Sequence, residues 1–179
     1  MRHQNVRNAD EVEAREMIKG RHNMRLRQLG KPAGSRALGA TLTEVAPGAV
    51  SFPRHAHHAN EEAIYVLSGS GEARIGEEHV AVRPGDWIAL PAGPSHAHQM
   101  VNSSATDPLV YLCVSTMHGV EIVEYPDSGK VGAGSPIRQA RLASAALASS
   151  VPGVARSTTG RESPRPARDS SGLTLPDGV

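Results

Sequence analysis

The length of this chain, 179 residues, suits one domain of ordinary size with tails and argues against two full enzymatic domains. Only five residues are aromatic, so the core must be mainly aliphatic, and an aromatic-lined slot for a large cofactor is not expected. The formal charge of +1 does not indicate a nucleic-acid or membrane-surface partner.

The single cysteine, Cys113, excludes an intrachain disulfide framework and any zinc site built from several cysteines. No apolar run approaches the roughly 20 residues that a membrane-spanning helix needs, and the polar first residues do not indicate a signal peptide. These features predict a cytoplasmic protein.

Residues 1–34 are predicted to form a lead-in segment rather than a core. Asn8 or Asp10 can cap a short helix over residues 11–18, which a basic stretch follows. The sequence Lys-Pro-Ala-Gly at residues 31–34 then indicates a turn. We therefore expect a short helical or extended element before the main domain.

Residues 35–125 have the pattern of an all-β domain. Short runs rich in Val, Ile and Leu are broken every eight to twelve residues by Gly or Pro. Strands are predicted near residues 37–45, 50–57, 62–67, 71–75, 79–82, 87–90, 96–101 and 109–116. About eight short strands in some 80 residues suit a small sandwich or jelly-roll barrel.

Residues 126–179 are predicted to form a low-complexity tail. In residues 131–179, 33 of the 49 positions are Ala, Ser, Gly, Pro or Arg, and none is aromatic. Such a segment buries too little apolar surface to offset its ordering entropy, so we expect it to be largely disordered, with a weak Ala-rich helix over residues 137–148.

The histidines are concentrated in two short windows. His55, His57 and His58 form one cluster, and His96 and His98 form the other. Side chains of a strand alternate between its faces, so His55 and His57 are expected to share one face, as are His96 and His98. Two imidazoles on one strand, a carboxylate on the next and an imidazole from a distant strand are typical of a metal site.

Two stretches of the sequence resemble the two motifs of the cupin superfamily. HAHHANEEAIYVLSG, from His55 to Gly69, is similar to the first motif, H-x-H-x(3,4)-E-x(6)-G. GDWIALPAGPSH, from Gly85 to His96, is similar to the second, G-x(5)-P-x-G-x(2)-H. The resemblance covers roughly residues 35–120 and implies a single cupin jelly-roll barrel.

The resemblance also implies the metal ligands. They are His55, His57, Glu62 and His96, with Glu62 preferred to Glu61 because six residues then separate it from the closing glycine. The chain departs from the pattern twice: its glycine lies seven rather than six positions before the first histidine, and Met100 stands where the family has Asn, four residues after the last histidine.

The other polar residues of the two windows are open to a structural and a functional interpretation. His58 and Glu61 face away from the inward row by alternation, which favours either support of the ligands from behind or a surface role over direct ligation. His98 shares a face with His96, so it either lines the cavity, as a substrate contact, spare ligand or candidate catalytic acid or base, or has a purely structural role.

Two functional classes follow from these residues. Three histidines and a glutamate leave two positions open on an octahedral Fe(II), Mn(II) or Ni(II) ion, and Zn(II) is an alternative. The resemblance then implies a metal-dependent enzyme of the dioxygenase, isomerase or decarboxylase type acting on a small polar molecule. The alternative is a non-catalytic cupin that binds a small ligand as a sensor or storage module. The resemblance further implies a homodimer, and we expect no nucleic-acid or membrane partner.

Overall fold

The computed structural model describes residues 2–134 of the chain, and this part is an all-β domain, which confirms the predicted fold class. Three short 3-10 helices accompany the strands within these residues, at Ala9–Glu11, Lys31–Ala33 and Pro94–His96. The strands are β1 (Arg15–Lys19), β2 (His22–Gln28), β3 (Leu38–Val45), β4 (Ala56–His57), β5 (Glu62–Ser68), β6 (Gly71–Ile75), β7 (Glu78–Val82), β8 (Trp87–Leu90), β9 (His98–Val101), β10 (Leu109–Thr116), β11 (Glu121–Tyr125) and β12 (Lys130–Gly134).

The strands form one large sheet and two small ones. The large sheet has the order β1-β2-β3-β10-β5-β8, and the small sheets have the orders β12-β11-β4 and β7-β6-β9. Isolated antiparallel bridges, Val50 to Val101 and His55 to His98, connect the small sheets at β4 and β9. The small sheets therefore act as a second layer, and two antiparallel layers joined in this way make the predicted jelly-roll barrel.

The core lies between the two layers and is mainly aliphatic, as the composition predicts. Alternate residues of the large sheet point inward, among them Val45, Val66 and Leu109, which are fully buried. Met100 of β9 meets them from the other layer. This alternation follows from the period of two along a strand, and it directs the side chains two positions away into the same interior.

The N-terminal segment differs from its prediction. Asn8 does cap a helical turn, through hydrogen bonds shared with Asp10 and Glu11, but the turn is short and residues 15–19 form β1 instead of a helix. β1 pairs with β2, where Met17 lies opposite Met24. Pairing with a neighbouring strand overrides the local helix propensity here. The large sheet thus begins before residue 35.

Two further predicted strands are shorter in the structure than in the sequence analysis. In residues 50–57, only Ala56–His57 form a strand, since Pro53 cannot donate a ladder hydrogen bond. In residues 96–101, the strand begins at His98, because Pro94–His96 form a 3-10 turn.

The C-terminal part of the described chain adds strands that the sequence analysis missed. β11 and β12 form a hairpin, and β11 also pairs with β4. Strand structure therefore extends to residue 134, past the boundary predicted at residue 125. The predicted disorder and the Ala-rich helix over residues 137–148 lie outside the described residues. Among the residues that the structure describes, none of the helices is long and apolar enough to cross a membrane.

Candidate metal centre

Four polar side chains converge between the two layers of the barrel. His55 and His57 lie at β4, and His98 begins β9. The backbones of His55 and His98 exchange two hydrogen bonds, with N to O distances of 3.1 and 2.8 Å, so the two histidines lie directly opposite each other. Glu62 begins β5 and reaches the same place from the large sheet. Both layers thus contribute to the site.

The distances among these groups suit a shared ion. One ligand atom each from His55, Glu62 and His98 lie within 4.8 Å of one another. The ring centroid of His55 lies 4.6 Å from that of His98 and 5.0 Å from that of His57. Glu62 divides its carboxylate between two imidazoles: Oε2 lies 3.1 Å from His98 Nε2, and Oε1 lies 3.6 Å from His57 Nε2.

The ring orientation of two histidines leaves their Nε2 atoms available as ligands. Nδ1 of His55 lies 2.9 Å from the carbonyl oxygen of Pro53, and Nδ1 of His98 lies 3.0 Å from that of His96. A carbonyl oxygen can only accept, so it fixes the proton on Nδ1 and leaves the lone pair on Nε2. Metal-binding histidines are held in this way.

His57 supplies a direct test of whether the residues fit a metal ion. Within the described part of the chain, both of its ring nitrogens are buried and neither makes a hydrogen bond. A buried polar group without a partner costs about 2–7 kcal/mol by transfer measurements. A divalent cation bound to Nε2 would offset this cost, and three imidazole nitrogens with one carboxylate oxygen are a donor set that such ions accept. The residues therefore fit the ion.

The charges in the site favour ligand forms of Glu62 and His55. Burial raises the pKa of Glu62, but the neighbouring imidazoles of His57 and His98 outweigh it and hold that pKa well below its usual range. Burial, with the charge of His98 next, lowers the pKa of His55 to about 4. Near neutral pH, Glu62 is therefore ionised and His55 is uncharged, as metal binding requires.

The carboxylate of Glu62 raises the pKa of both His57 and Cys113, whereas burial acts on the two groups in opposite directions. Burial lowers the pKa of His57, but the carboxylates of Glu62 and Glu121 raise it above its usual value. Burial raises the pKa of the Cys113 thiol well above its usual value, and the neighbouring charge of Glu62 adds to this. Cys113 is therefore a protonated thiol beside the site and not an activated nucleophile.

The structure brings together three of the four predicted ligands and places His98 where His96 was expected. His96 ends the 3-10 turn, with its Nδ1 3.4 Å from the hydroxyl of Ser95, and does not belong to the converging group. The alternation that was expected to align His96 with His98 holds only within a strand, and β9 begins at His98.

A signal for His98 was present in the sequence. The expected asparagine lies four positions after His98, at Asn102, whereas Met100 occupies that place after His96. Asn102 is 1% exposed; its amide donates to the carbonyl oxygens of Val45 and Asp107, both at 2.9 Å. It ties β3 to the loop after β9 and so supports the strand that carries His98.

Glu121 is the polar residue of the site that the sequence analysis missed. Its side chain is 1% exposed, and its Oε2 lies 3.5 Å from Nδ1 of His57. It belongs to β11, more than 60 positions beyond His57, so no local spacing connects the two residues.

Comparison with known proteins gives one family and many solved structures. The family model of the cupin domain, Cupin_2, matches residues 41–115. No curated protein matches the sequence.

Two structures of similar fold are those of sugar phosphate isomerases. One, from Silicibacter pomeroyi, is 28% identical with a TM-score of 0.62, and the match covers 73% of this chain and 92% of that one. The other, a proposed sugar phosphate isomerase from Acidithiobacillus ferrooxidans, is 26% identical with a TM-score of 0.64, covering 74% and 92%. The polyketide cyclase RemF from Streptomyces resistomycificus is 27% identical with a TM-score of 0.53, covering 62% and 78%. Residues 41–115 are thus a cupin domain, in agreement with the all-β barrel, the paired motifs and these similar structures.

Proposed function

We propose that this protein is a divalent-metal-dependent enzyme of the isomerase type, acting on a small phosphorylated sugar. In this proposal His55, His57, Glu62 and His98 hold the ion. His98, a candidate acid or base in the sequence analysis, thus becomes a ligand in place of His96.

The observation that carries the proposal is the convergence of His55, His98 and Glu62 inside the barrel. His57 lies beside this group, and its buried Nε2 has no hydrogen-bond partner among the described residues. A solvated surface cluster would not leave a buried nitrogen unsatisfied, because water would pair with it. The donor set favours Fe(II), Mn(II) or Ni(II), with Zn(II) as the alternative. When bound, such an ion supplies Lewis-acid polarisation of a substrate oxygen.

The chain's own side chains support acid–base chemistry on an oxygenated substrate. The ring of Tyr125 lies 6.1 Å from that of His55, and burial raises the pKa of this phenol. Tyr125 therefore stays protonated and can donate a hydrogen bond to a substrate hydroxyl or carbonyl oxygen. The Cys113 thiol is held protonated, so covalent catalysis through sulfur is not part of the proposal.

The substrate class rests on the two similar isomerases. They are 26% and 28% identical to this chain over the matched residues, and the match covers 92% of each of them. Isomerisation of a sugar phosphate also needs no oxidant or external reductant. An ion held by this donor set and a protonated group such as the Tyr125 phenol are sufficient for this isomerisation.

The test combines elemental analysis with turnover. Untagged protein purified without added metal is expected to contain about one divalent ion per chain and to interconvert at least one member of a panel of aldose and ketose phosphates. His57→Ala should lose both properties, whereas His79→Ala, a change at an exposed histidine, should keep both. Oxygen consumption with an enol or catechol substrate would replace the isomerase by a dioxygenase. Bound metal without turnover across the panel would favour the non-catalytic ligand binder.

A homodimer is the assembly we propose. The outer face of the large sheet carries a row of neighbouring apolar side chains across four strands, from Trp87 through Tyr65 and Leu112 to Leu42. Trp87 is 62% exposed and Tyr65 is 39% exposed. Contiguous apolar surface of this kind marks an interaction site. A cytoplasmic location stays a prediction from composition.

A further inference from the structure

Glu121 is a buried carboxylate, and burying a charge is costly unless several partners satisfy it. Its Oε1 accepts hydrogen bonds from the backbone N–H groups of His58 and Ala59, at 3.0 and 3.1 Å, and its Oε2 accepts one from Asn60 at 2.8 Å. These three consecutive amides belong to the loop between β4 and β5. Glu121 therefore anchors the segment that separates His57 from Glu62.

The same loop is tied down at a second point. The side-chain oxygen of Asn60 accepts from the backbone N–H of His118 at 2.7 Å, and Glu61 and Thr116 exchange hydrogen bonds through their backbones and the Thr116 hydroxyl. The loop is therefore already held near β10 without Glu121. A carboxylate buried beside it calls for a reason beyond loop anchoring.

His57 supplies that reason. Nδ1 of His55 and Nδ1 of His98 each have a carbonyl acceptor, which leaves Nε2 free to bind an ion. Among residues 2–134, Nδ1 of His57 has no carbonyl partner, and the acceptor that faces it, at 3.5 Å, is Oε2 of Glu121. On the opposite side of the ring, Nε2 points toward Glu62. Glu121 thus occupies the position that a backbone carbonyl holds beside each of the other two rings.

We propose that Glu121 is the positioning residue for His57: its carboxylate accepts the Nδ1 proton, fixes the tautomer whose Nε2 binds the ion, and holds the loop that leads to Glu62. The inference rests on the proposed metal site but not on the reaction or its substrate. A carboxylate on Nδ1 also makes the imidazole a stronger ligand than a carbonyl does, and loss of such a partner typically weakens metal binding by about 10- to 100-fold.

Glu121→Gln tests the inference, because glutamine has one acceptor oxygen and cannot serve both the loop amides and His57. Glu124→Gln is the matched control. Glu124 lies on the same strand and also pairs with a histidine, His58 at 3.2 Å, but its partner is half-exposed and outside the converging group. Titration calorimetry with Zn²⁺ as the probe should show a dissociation constant raised about 10- to 100-fold in E121Q and changed less than about twofold in E124Q.

A second measurement separates positioning from a structural role. Nitrogen-15 NMR of the Zn²⁺-loaded wild-type protein should show His57 protonated at Nδ1, with that proton protected from exchange, and E121Q should lose the protection. A residue that only anchors the loop would leave the Nδ1 proton unchanged.

The outcomes that overturn the inference are distinct. A Zn²⁺ affinity in E121Q equal to that of E124Q overturns it and leaves the proposed function intact. Wild-type His57 protonated at Nε2 and bound through Nδ1 also overturns it, and this result needs no variant to fold. A wild-type protein that takes up no Zn²⁺ or other divalent ion overturns both proposals together.

Discussion

The choice between His96 and His98 as the fourth ligand can be decided by a pair of substitutions. His98→Ala removes an imidazole whose Nε2 lies 3.1 Å from Glu62 Oε2, so it deletes a ligand and also leaves that carboxylate oxygen without its partner. His96→Ala removes a side chain outside the converging group and keeps the backbone carbonyl that orients His98.

The expected difference in affinity is large. Four-ligand zinc sites in small peptides bind with about 10–16 kcal/mol, which is about 3 kcal/mol for each ligand. Loss of one of four ligands should therefore raise the dissociation constant by more than about 100-fold. Titration calorimetry with Zn²⁺ on the two variants measures this, and circular dichroism of the metal-free proteins checks that both fold. If H96A loses affinity and H98A retains it, the assignment of His98 is wrong. The fourth ligand is then His96, as the motif resemblance implies.

Four further predictions concern stability, pH and assembly. Asn102→Ala removes hydrogen bonds to two carbonyl oxygens, one of them buried, so we expect a loss of about 3 kcal/mol in the free energy of unfolding, measured by urea denaturation; a loss under about 1 kcal/mol would contradict the role assigned to it. Gly69→Ala places a Cβ against the Pro108 carbonyl oxygen at a φ of 79°, so it should lower the melting temperature by several degrees. An unchanged melting temperature would count against the close approach of Gly69 to Pro108. Metal binding needs neutral imidazoles, and the pKa of His57 is raised above its usual value of 6.5. The affinity for Zn²⁺ should therefore fall about tenfold per pH unit below that raised pKa, with the fall beginning above pH 6.5. A Zn²⁺ affinity that stays constant down to pH 5 would exclude His57 as a ligand. Light scattering should give the mass of a dimer for the wild-type protein and of a monomer for Trp87→Glu, whereas a monomeric wild type would refute the proposed assembly.

The sequence predicted the barrel and most of its strands because both depend on local pattern. β3, β6, β8 and β10 fall within a residue of their predicted bounds, since apolar alternation and turn residues delimit each of them. Residues 11–18 were predicted to form a short helix because Asn8 or Asp10 can cap one, and only the pairing of β1 with β2 makes residues 15–19 a strand. That pairing is a tertiary interaction, which local propensity does not contain.

Only those residues of the candidate site that lie close together in the sequence could be predicted from it. His55, His57 and Glu62 lie within eight residues, so one motif specifies them. His98 could be found only by counting four residues back from Asn102, because His96 belongs to a 3-10 turn and the strand begins at His98. Glu121 could not be found in this way, since the pairing of β11 with β4 alone brings it to His57.

The backbone bridge between His55 and His98 has a consequence for how the protein would respond to its ion. The backbone hydrogen bonds between these two residues join the two small sheets of the second layer, and their side chains are two of the proposed metal ligands. An ion bound to both imidazoles would therefore also restrain this backbone pair, so that metal binding would stabilise the connection between the two small sheets.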